Sequence, residues 1–288
     1  MLTTMLGDYW FWRREHLPSA VLVRLLAEWG TSKGSARASI RRLADRGVLV
    51  RSRDGRTTSY GLRFRTREAL VEHAHRLLSF GAESPSWDGC WTMVAFSIPE
   101  GSRNLRHSVR VGLRNHGLRL LYDGLWVSPF DRSREAVEVL RSLSVTTATV
   151  TRATEVEGSP IAGSPLQAFD LDSVGEAYAA FATRYEPTVE RVRAGGFDPA
   201  EAFLARESLM SDWMILRQLD PDLPAELLPP GWPRPHARSV FTQIYDSLGP
   251  LGEQRFCEIV SEIAPDLGRL ATHHTSTNMV PIPLSPRH

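Results

Sequence analysis

The stretch from Thr31 to Tyr60, TSKGSARASIRRLADRGVLVRSRDGRTTSY, constrains this chain more than any other. It reads as a polar turn, one basic helix, a glycine stop and two basic strands around Asp54-Gly55. Ser32 is placed to cap the helix, because its side-chain oxygen can accept from one of the backbone N–H groups that a helix start leaves unpaired. Ala36, Ile40, Leu43 and Ala44 recur at i, i+4, i+7 and i+8, so they share one face, which is expected to be buried. At about 100° per residue the opposite face carries Ser35, Ala38 and Arg42, flanked by Arg37, Arg41 and Arg46. Gly47 supplies the left-handed residue that ends such a helix.

Val48, Leu49 and Val50 then open a β-branched run. Asp54-Gly55 is a favoured two-residue hairpin turn, and Thr57, Thr58, Ser59 and Tyr60 return as the second strand. A basic helix followed by a basic hairpin is the pattern of a winged helix-turn-helix, whose helix enters the major groove while the hairpin touches phosphates or the minor groove. Charged faces usually just face water, so a solvated helix beside a solvated hairpin is the plain alternative. Arginines and small polar residues on the exposed face, with Arg51, Arg53, Arg56 and Arg63 around the turn, favour DNA contact. The residues expected at the DNA are Ser32, Lys33, Ser35, Arg37, Ala38, Arg41 and Arg42 on the helix. On the hairpin they are Arg51, Arg53, Arg56, Thr57, Thr58, Ser59 and Tyr60.

The charge distribution agrees. The 288 residues carry a formal +1, which conceals an asymmetry: residues 1–67 hold 13 Arg and 1 Lys against 5 Asp and Glu, or +9, leaving −8 for residues 68–288. The excess of basic charge is confined to the N-terminal segment, and composition does not mark the remainder as a nucleic-acid coat. Length suggests two or three domains, and a hydrophobic fraction of 42% suffices for a buried core. Cys90 and Cys257 stand far apart without a partnering pattern and are expected as buried free thiols in a reducing compartment. No apolar run approaches the ~20 residues of a membrane span and no signal peptide stands at the start. A cytoplasmic protein without membrane contact is expected.

Taken in order, residues 1–9 read as the last turns of a helix and Trp10, Phe11 and Trp12 as a packing cluster. Pro18 and Ser19 open a helix with Val21, Leu22, Leu25, Leu26 and Trp29 apolar, stopped by Gly30, which would position the basic helix. After the hairpin, residues 66–80 form an amphipathic linker helix. His73 and His75 within it point apart and make no metal site. Beyond the turn-rich 81–86 the pattern becomes βαββαβ. Its parts are a strand at 90–98, a helix at 103–116, strands at 118–121 and 125–127, a helix at 133–143 and a strand at 145–154. That order is a ferredoxin-like split βαβ. Residues 158–165 are a loop, followed by helices at 173–194 and 199–219. A proline-dense connector at 220–235 is kept ordered by Leu223, Leu227, Leu228 and Trp232. Two helices around 237–248 and 252–263 precede a polar, proline-rich tail from Thr272, expected to be disordered. The expectation is an α+β multidomain protein. A winged helix-turn-helix occupies 1–67, a linker helix 68–86, a ferredoxin-like domain 87–157 and a helical C-terminal domain 166–266, with a tail at 272–288.

Five blocks in this order carry a resemblance: TMLGDY at Thr4–Tyr9, residues 35–60 with Gly55-Arg56-Thr57-Thr58-Ser59-Tyr60, and Trp87-Asp88-Gly89-Cys90-Trp91. Gly124-Leu125-Trp126-Val127-Ser128-Pro129 is the fourth. The last is the run Asp220-Pro221, Leu223-Pro224, Leu227-Leu228-Pro229 and Trp232-Pro233. Together they resemble the PaaX-like transcriptional repressors, the family named for control of phenylacetate degradation. The resemblance spans about residues 4–260. It implies a winged helix, a central ferredoxin-like domain similar to a small CRISPR-associated nuclease, and a helical C-terminal domain. It also implies a homodimer on a palindromic double-stranded operator, released by an aryl-CoA or other acyl-CoA-type effector, with no cofactor. Two departures stand out: Arg234 where the family often has glycine, which bears on the C-terminal pocket, and a short N-terminus, which bears on the DNA-binding core.

Two alternatives remain beside the regulator. A metal-dependent nuclease needs carboxylates at a strand end, but the strand at 90–98 meets no acid until Glu100. Asp88, Asp123 and Asp131 are of the kind that cap turns and helices, and no catalytic grouping appears, so no enzyme is expected. A scaffold without DNA contact conflicts with the +9 of the first segment. For an effector, Trp126 and the stripe Arg206, Trp213 and Arg217, at i, i+7 and i+11, could hold an acidic aromatic ligand by guanidinium pairing and indole stacking. Plain packing between helices is the competing reading for each. Arg103, Arg106 and Arg110 form a second basic stripe, read as a solvated face.

Overall fold

The computed structural model describes residues 1–10, 13–155 and 163–278. Phe11, Trp12, most of the expected loop at 158–165 and the tail from Met279 lie outside them. Among the described residues the chain is α+β, with ten α-helices and two small antiparallel sheets. In order these are α1 (Leu2–Tyr9), β1 (Leu17–Pro18), α2 (Ser19–Ala27), α3 (Lys33–Asp45), β2 (Leu49–Asp54), β3 (Thr57–Leu62), α4 (Phe64–Ser79), β4 (Trp91–Phe96) and α5 (Arg103–Asn115). There follow β5 (Arg119–Tyr122), β6 (Leu125–Ser128), α6 (Ser133–Ser142), β7 (Ala148–Ala153), α7 (Leu171–Arg193), α8 (Pro199–Leu219), α9 (Arg234–Ser261) and α10 (Pro265–Gly268). They divide into two compact units, one of Met1–Ala82, Tyr178–Arg217 and the described residues from Pro233, the other of Glu83–Ala177 and Gln218–Trp232.

In the first unit the N-terminal elements and the C-terminal helices share one core. Leu2, Met5, Leu6 and Tyr9 of α1, Val21, Leu22, Leu25 and Leu26 of α2, and Ala36 and Ile40 of α3 are buried together with Phe203, Phe256, Ile259 and Val260. The short α1 is thus backed by α8 and α9. Tyr9 lies 5.5 Å from Phe203 and 5.3 Å from Phe256, ring to ring. At the end of α2, Arg255 of α9 grips Glu28 with a two-pronged pair of 3.0 Å hydrogen bonds, and Arg24 donates to the same carboxylate. Burial works against that carboxylate, but the Arg255 and Arg24 hydrogen bonds hold it below the usual range.

At the centre sits a buried polar cluster. Arg206 of α8, fully buried, donates to Asp8 at 3.3 Å and to the carbonyls of Tyr245 and His274 at 3.1 and 2.7 Å. The Tyr245 hydroxyl donates to Asp8 at 2.8 Å and lies 3.0 Å from His274 Nε2. Burial drives His274 down to about 4, against the pull of Asp8. Glu207 is also buried, yet neither of its oxygens meets a donor, so burial and the nearby Asp8 carboxylate raise its pKa well above the usual range.

A second aromatic stack fixes α4. Trp213 lies 4.6 Å from Phe241 at 13°, and its indole donates to the Leu77 carbonyl at 3.0 Å. Arg238 donates to the carbonyls of Leu78 and Phe80, satisfying groups that the helix end leaves open.

Two expectations are corrected here. The helices expected at 237–248 and 252–263 are one continuous helix, α9, running through Gly249 and Pro250. Pro250 removes one N–H, but the glycines on either side let other groups come close. A Cβ at Gly249 would overlap the His273 ring, and one at Gly252 the Tyr9 hydroxyl, so packing outweighs local propensity. Nor is the segment from Thr272 loose throughout. His274 is buried, the His273 N–H donates to Glu253 at 2.7 Å, and Ser276 donates to Asp246 through both backbone and hydroxyl at 2.7 Å. Its polar groups find partly buried acceptors, Asp246 and Glu253, supplied by α9.

In the second unit the sheet order is β5-β6-β4-β7, all neighbours antiparallel, in the chain order βαββαβ. One face packs Val94 and Trp126 on Val109, Leu113, Ala136 and Leu140 of α5 and α6. The other face buries Trp91 and Val127 against Phe169, Leu171 and Leu223, with Leu227, Leu228 and Trp232 packed around them. The proline-dense segment is therefore ordered by the apolar residues expected to order it.

The buried acid yields a pH prediction. Glu207 is held protonated in the folded chain, whereas an unfolded glutamate releases its proton near 4.5. Stability therefore falls as pH rises from about 4.5 toward the raised folded value. His274 contributes the opposite slope between about 4 and the unfolded histidine value, equally in wild type and variant. Glu207→Gln should gain stability over wild type progressively as pH rises above about 4.5 in urea titrations, the two converging near pH 4. A difference that does not change with pH contradicts this protonation.

Candidate nucleic-acid interface

The basic helix α3 begins at Ser32, whose Oγ accepts from the Ser35 N–H at 3.3 Å. It ends in a Schellman arrangement: the Val48 N–H donates to the Leu43 carbonyl and the Gly47 N–H to Ala44, both at 2.9 Å, with Gly47 at φ +70°. Ala36 and Ile40 are buried, with Leu43 and Ala44 packed beside them, which turns the arginine-bearing face outward. Lys33, Ser35, Arg37, Arg41 and Arg42 are exposed, and Ala38 is half-buried between them.

The hairpin pairs Arg51 with Tyr60, Ser52 with Ser59, Arg53 with Thr58 and Asp54 with Thr57. The turn is therefore Gly55-Arg56, one residue later than the Asp54-Gly55 expected. Gly55 takes φ +54° while Arg56 does not, the pattern of a type II′ turn with glycine first, so Asp54 stays in the ladder. Successive strand residues face opposite ways. Arg51, Arg53, Thr58 and Tyr60 share one face, while Ser52 and Ser59 take the other. On that second face His16 Nδ1 lies 2.7 Å from the Ser52 hydroxyl. No local signal marks His16, whose partner is 36 residues away. Gly61 carries the counterpart signal, since a Cβ there would overlap the His16 ring.

The electrostatics of this surface differ from the rest of the chain. Between Lys33 and Leu62 stand eight basic residues and two acidic ones. Among the described residues, none of Arg37, Arg41, Arg42, Arg51, Arg53 and Arg56 forms an ion pair. Elsewhere several arginines are paired with carboxylates, Arg76 with Glu72, Arg132 with Glu135, Arg184 with Asp212 and Arg255 with Glu28. Among the described residues Arg42 donates only to Ser39, and Arg53 only to the Gly55 carbonyl. Six unpaired guanidinium groups on one exposed helix and hairpin form a surface suited to a polyanion.

The residues considered for an effector fall elsewhere. Arg206 is enclosed by Asp8, Tyr245 and His274, and Trp213 by Phe241 and the Leu77 carbonyl. Arg217 lies 4.7 Å above the Phe80 ring. Trp126 belongs to the second unit, in the core under α5 and α6. The stripe therefore spends its guanidiniums and indole on protein partners. Arg234 likewise is buried, over the Phe80 ring at 5.6 Å. Open grooves among the described residues include one of about 570 Å³ lined by Glu186, Glu190, Arg193 and His236, and one of about 320 Å³ lined by Arg119, Phe169, Asp170 and Val174.

The carboxylates weighed for metal chemistry do structural work. Asp88 accepts from the Cys90 N–H and pairs with Arg152, Asp131 accepts from the Ser133 N–H, and Asp123 pairs with Arg110 at 3.5 Å. Among the described residues no group of three or more His, Cys, Asp or Glu could hold a metal ion. No helix among them is long and apolar enough to cross a membrane. Both cysteines are free and partly buried.

The contact between His16 and Gly61 is testable. Gly61→Ala should force the ring out and break its bond to Ser52, at a cost of about 0.5–1.5 kcal/mol in urea titrations. In a His16→Ala background the same change should cost nothing measurable. An equal cost in both backgrounds contradicts the contact.

Three family models match the chain in succession. The PaaX-like protein model covers residues 1–65, the PaaX protein central Cas2-like domain residues 84–163, and the PaaX-like protein C-terminal domain residues 169–258. Among curated proteins, the chain is 25% identical over 257 residues to the transcriptional repressor PaaX of Escherichia coli (strain K12), spanning 87% of this chain and 80% of that one. Among solved structures, it is similar to the uncharacterized protein Rv0674 from Mycobacterium tuberculosis. That match has a TM-score of 0.51 and 23% identity, over 83% of this chain and 91% of the other, and supports the fold. Matched in order from one end of the described residues nearly to the other, the chain belongs to the PaaX-like family.

Proposed function

We propose that this protein is a DNA-binding transcriptional repressor. The observation that carries the reading is the set of six exposed, unpaired arginines on α3 and the β2–β3 hairpin. Family membership and the likeness to a protein named as a repressor support it. In this reading α2, α3 and the sheet β1-β3-β2 are a winged helix-turn-helix. α3 enters the major groove, the hairpin is the wing, and Ser32, Lys33, Ser35, Ala38, Thr57, Thr58, Ser59 and Tyr60 complete the contact surface. The order β5-β6-β4-β7 with two helices on one face supports a ferredoxin-like central domain.

The working form is a homodimer on a palindromic operator, released by an acyl-CoA-type effector. The groove with Arg119 and Phe169 sets a cation and a ring on one lining, the chemistry such a ligand asks for. The partner surface and effector need only ~1–3 kcal/mol of coupling to change operator affinity 5- to 150-fold. The carboxylates engaged in caps and ion pairs give the nuclease alternative no support, and the basic N-terminal surface speaks against a scaffold without DNA.

The test is a pair of variants in operator titrations at several salt concentrations. Arg42→Ala should cost about 1–3 kcal/mol on the operator and relax its sequence preference. Arg56→Ala should weaken binding across all sequences and lower the salt slope by about 1. Wild-type behaviour of both variants would overturn the assignment of helix and wing.

A further inference from the structure

We propose that the outer face of α5 is a second binding site for the phosphates of duplex DNA. The second unit is acidic overall, with 9 Arg against 15 Asp and Glu in residues 83–177 and 218–232. Five of those nine arginines fall within residues 101–122, which contain no Asp or Glu at all. The charge is therefore gathered, and it is gathered on one face. Arg103, His107, Arg110 and Arg114 stand at i, i+4, i+7 and i+11 on one face, turned about 110° away from the buried Val109 and Leu113, with Arg106 at the border between the two.

The neighbouring α6 mixes its charges: Arg132 pairs with Glu135 at 3.3 Å and Arg134 with Glu138 at 3.4 Å, one turn apart, while Arg141 forms no ion pair among the described residues. On α5, Arg103, His107 and Arg114 are exposed, and among the described residues Arg103 and Arg114 form no ion pair or side-chain hydrogen bond. Arg110 meets only Asp123, at 3.5 Å, a carboxylate that is 99% exposed. Such a surface pair exchanges readily for a phosphate. Arg106 alone is engaged, donating to the Ile98 carbonyl at 2.8 Å.

Arg103 is the first residue of α5, at the positive end of the helix dipole, and the first turn holds no acid, so an anion bound there would offset an unfavourable charge; Arg114, in the last turn, suits the dipole. From Arg103 to Arg114 the stripe runs about 16 Å along the axis. Duplex DNA presents a negative charge every ~1.7 Å of its length, so several phosphates fall within that reach. This inference deepens the operator-binding reading and rests on it for the identity of the nucleic acid.

The experiment uses the full chain, a duplex from the promoter region flanking its own gene, and a mixed-sequence duplex of equal length, titrated between 50 and 200 mM salt. Arg103→Ala/Arg114→Ala removes two exposed, partnerless side chains, so the fold should be untouched, checked by an unchanged Tm. The expected result is a salt slope smaller by about 1.8 on both duplexes, at about 0.9 per phosphate lost, with operator preference unchanged. Arg134→Ala, taken from a paired and exposed position, should leave the slope at the wild-type value. Coincident slopes for the double variant and wild type would overturn the second site. A wild type that prefers no sequence, yet loses slope in the double variant, would sink the operator reading and keep this one. A wild type that binds neither duplex would sink both.

Discussion

The first unit depends on a guanidinium with no access to water. Arg206 is fully buried and joins three parts of the chain that are far apart in sequence, through Asp8 of α1, the carbonyl of Tyr245 in α9 and the carbonyl of His274 near the end of the described residues. Burial alone would lower the guanidinium, but Tyr245, Tyr9 and Asp8 around it raise it, so the charge persists. Such a pair is a poor source of net stability, yet removing either member leaves an uncompensated buried charge, at a cost of about 3–5 kcal/mol. The centre thus acts as a register pin. It admits one seating of α1 against α8 and α9, and α1 in turn underlies α2 and α3. The surface that faces outward with its arginines is positioned by helices that begin at Pro199 and Arg234, well over a hundred residues after the hairpin ends at Leu62.

That arrangement separates two uses of arginine in one chain. Where a guanidinium holds elements together it is paired and sheltered, as with Arg206 and Asp8, or Arg255 and Glu28. Where it faces out from α3, the hairpin or α5, carboxylates are missing or fully exposed. Composition alone hides the distinction, since a net charge of +1 results from a basic first segment and an acidic remainder.

Much of this was legible beforehand, for identifiable reasons. α3 was readable because its cap, its apolar spacing and its terminal glycine are local signals within a dozen residues, and all three agree. The order βαββαβ was readable because strand alternation and two strongly amphipathic helices recur between glycine stops. The hairpin turn slipped by one residue because Asp-Gly and Gly-Arg both suit a two-residue loop, and only the ladder partners of Asp54 and Thr57 decide between them. The continuity of α9 through Pro250 was not readable, since it depends on Tyr9 and His273 closing on two glycines from remote segments. The same holds for Arg206 and Trp213. Their spacing marks a helix face, but only the partners across the core determine whether that face meets a ligand or the protein itself.

The most direct test of the central claim is a footprint of the full chain on the DNA upstream of its own gene, at near-physiological salt. An operator-reading dimer should protect two half-sites whose centres lie ~34–36 Å apart or at a multiple of that distance, at concentrations that leave unrelated DNA unprotected. Protection that is no stronger there than on unrelated DNA at the same salt would contradict it, leaving the arginine face of α3 as a general polyanion surface.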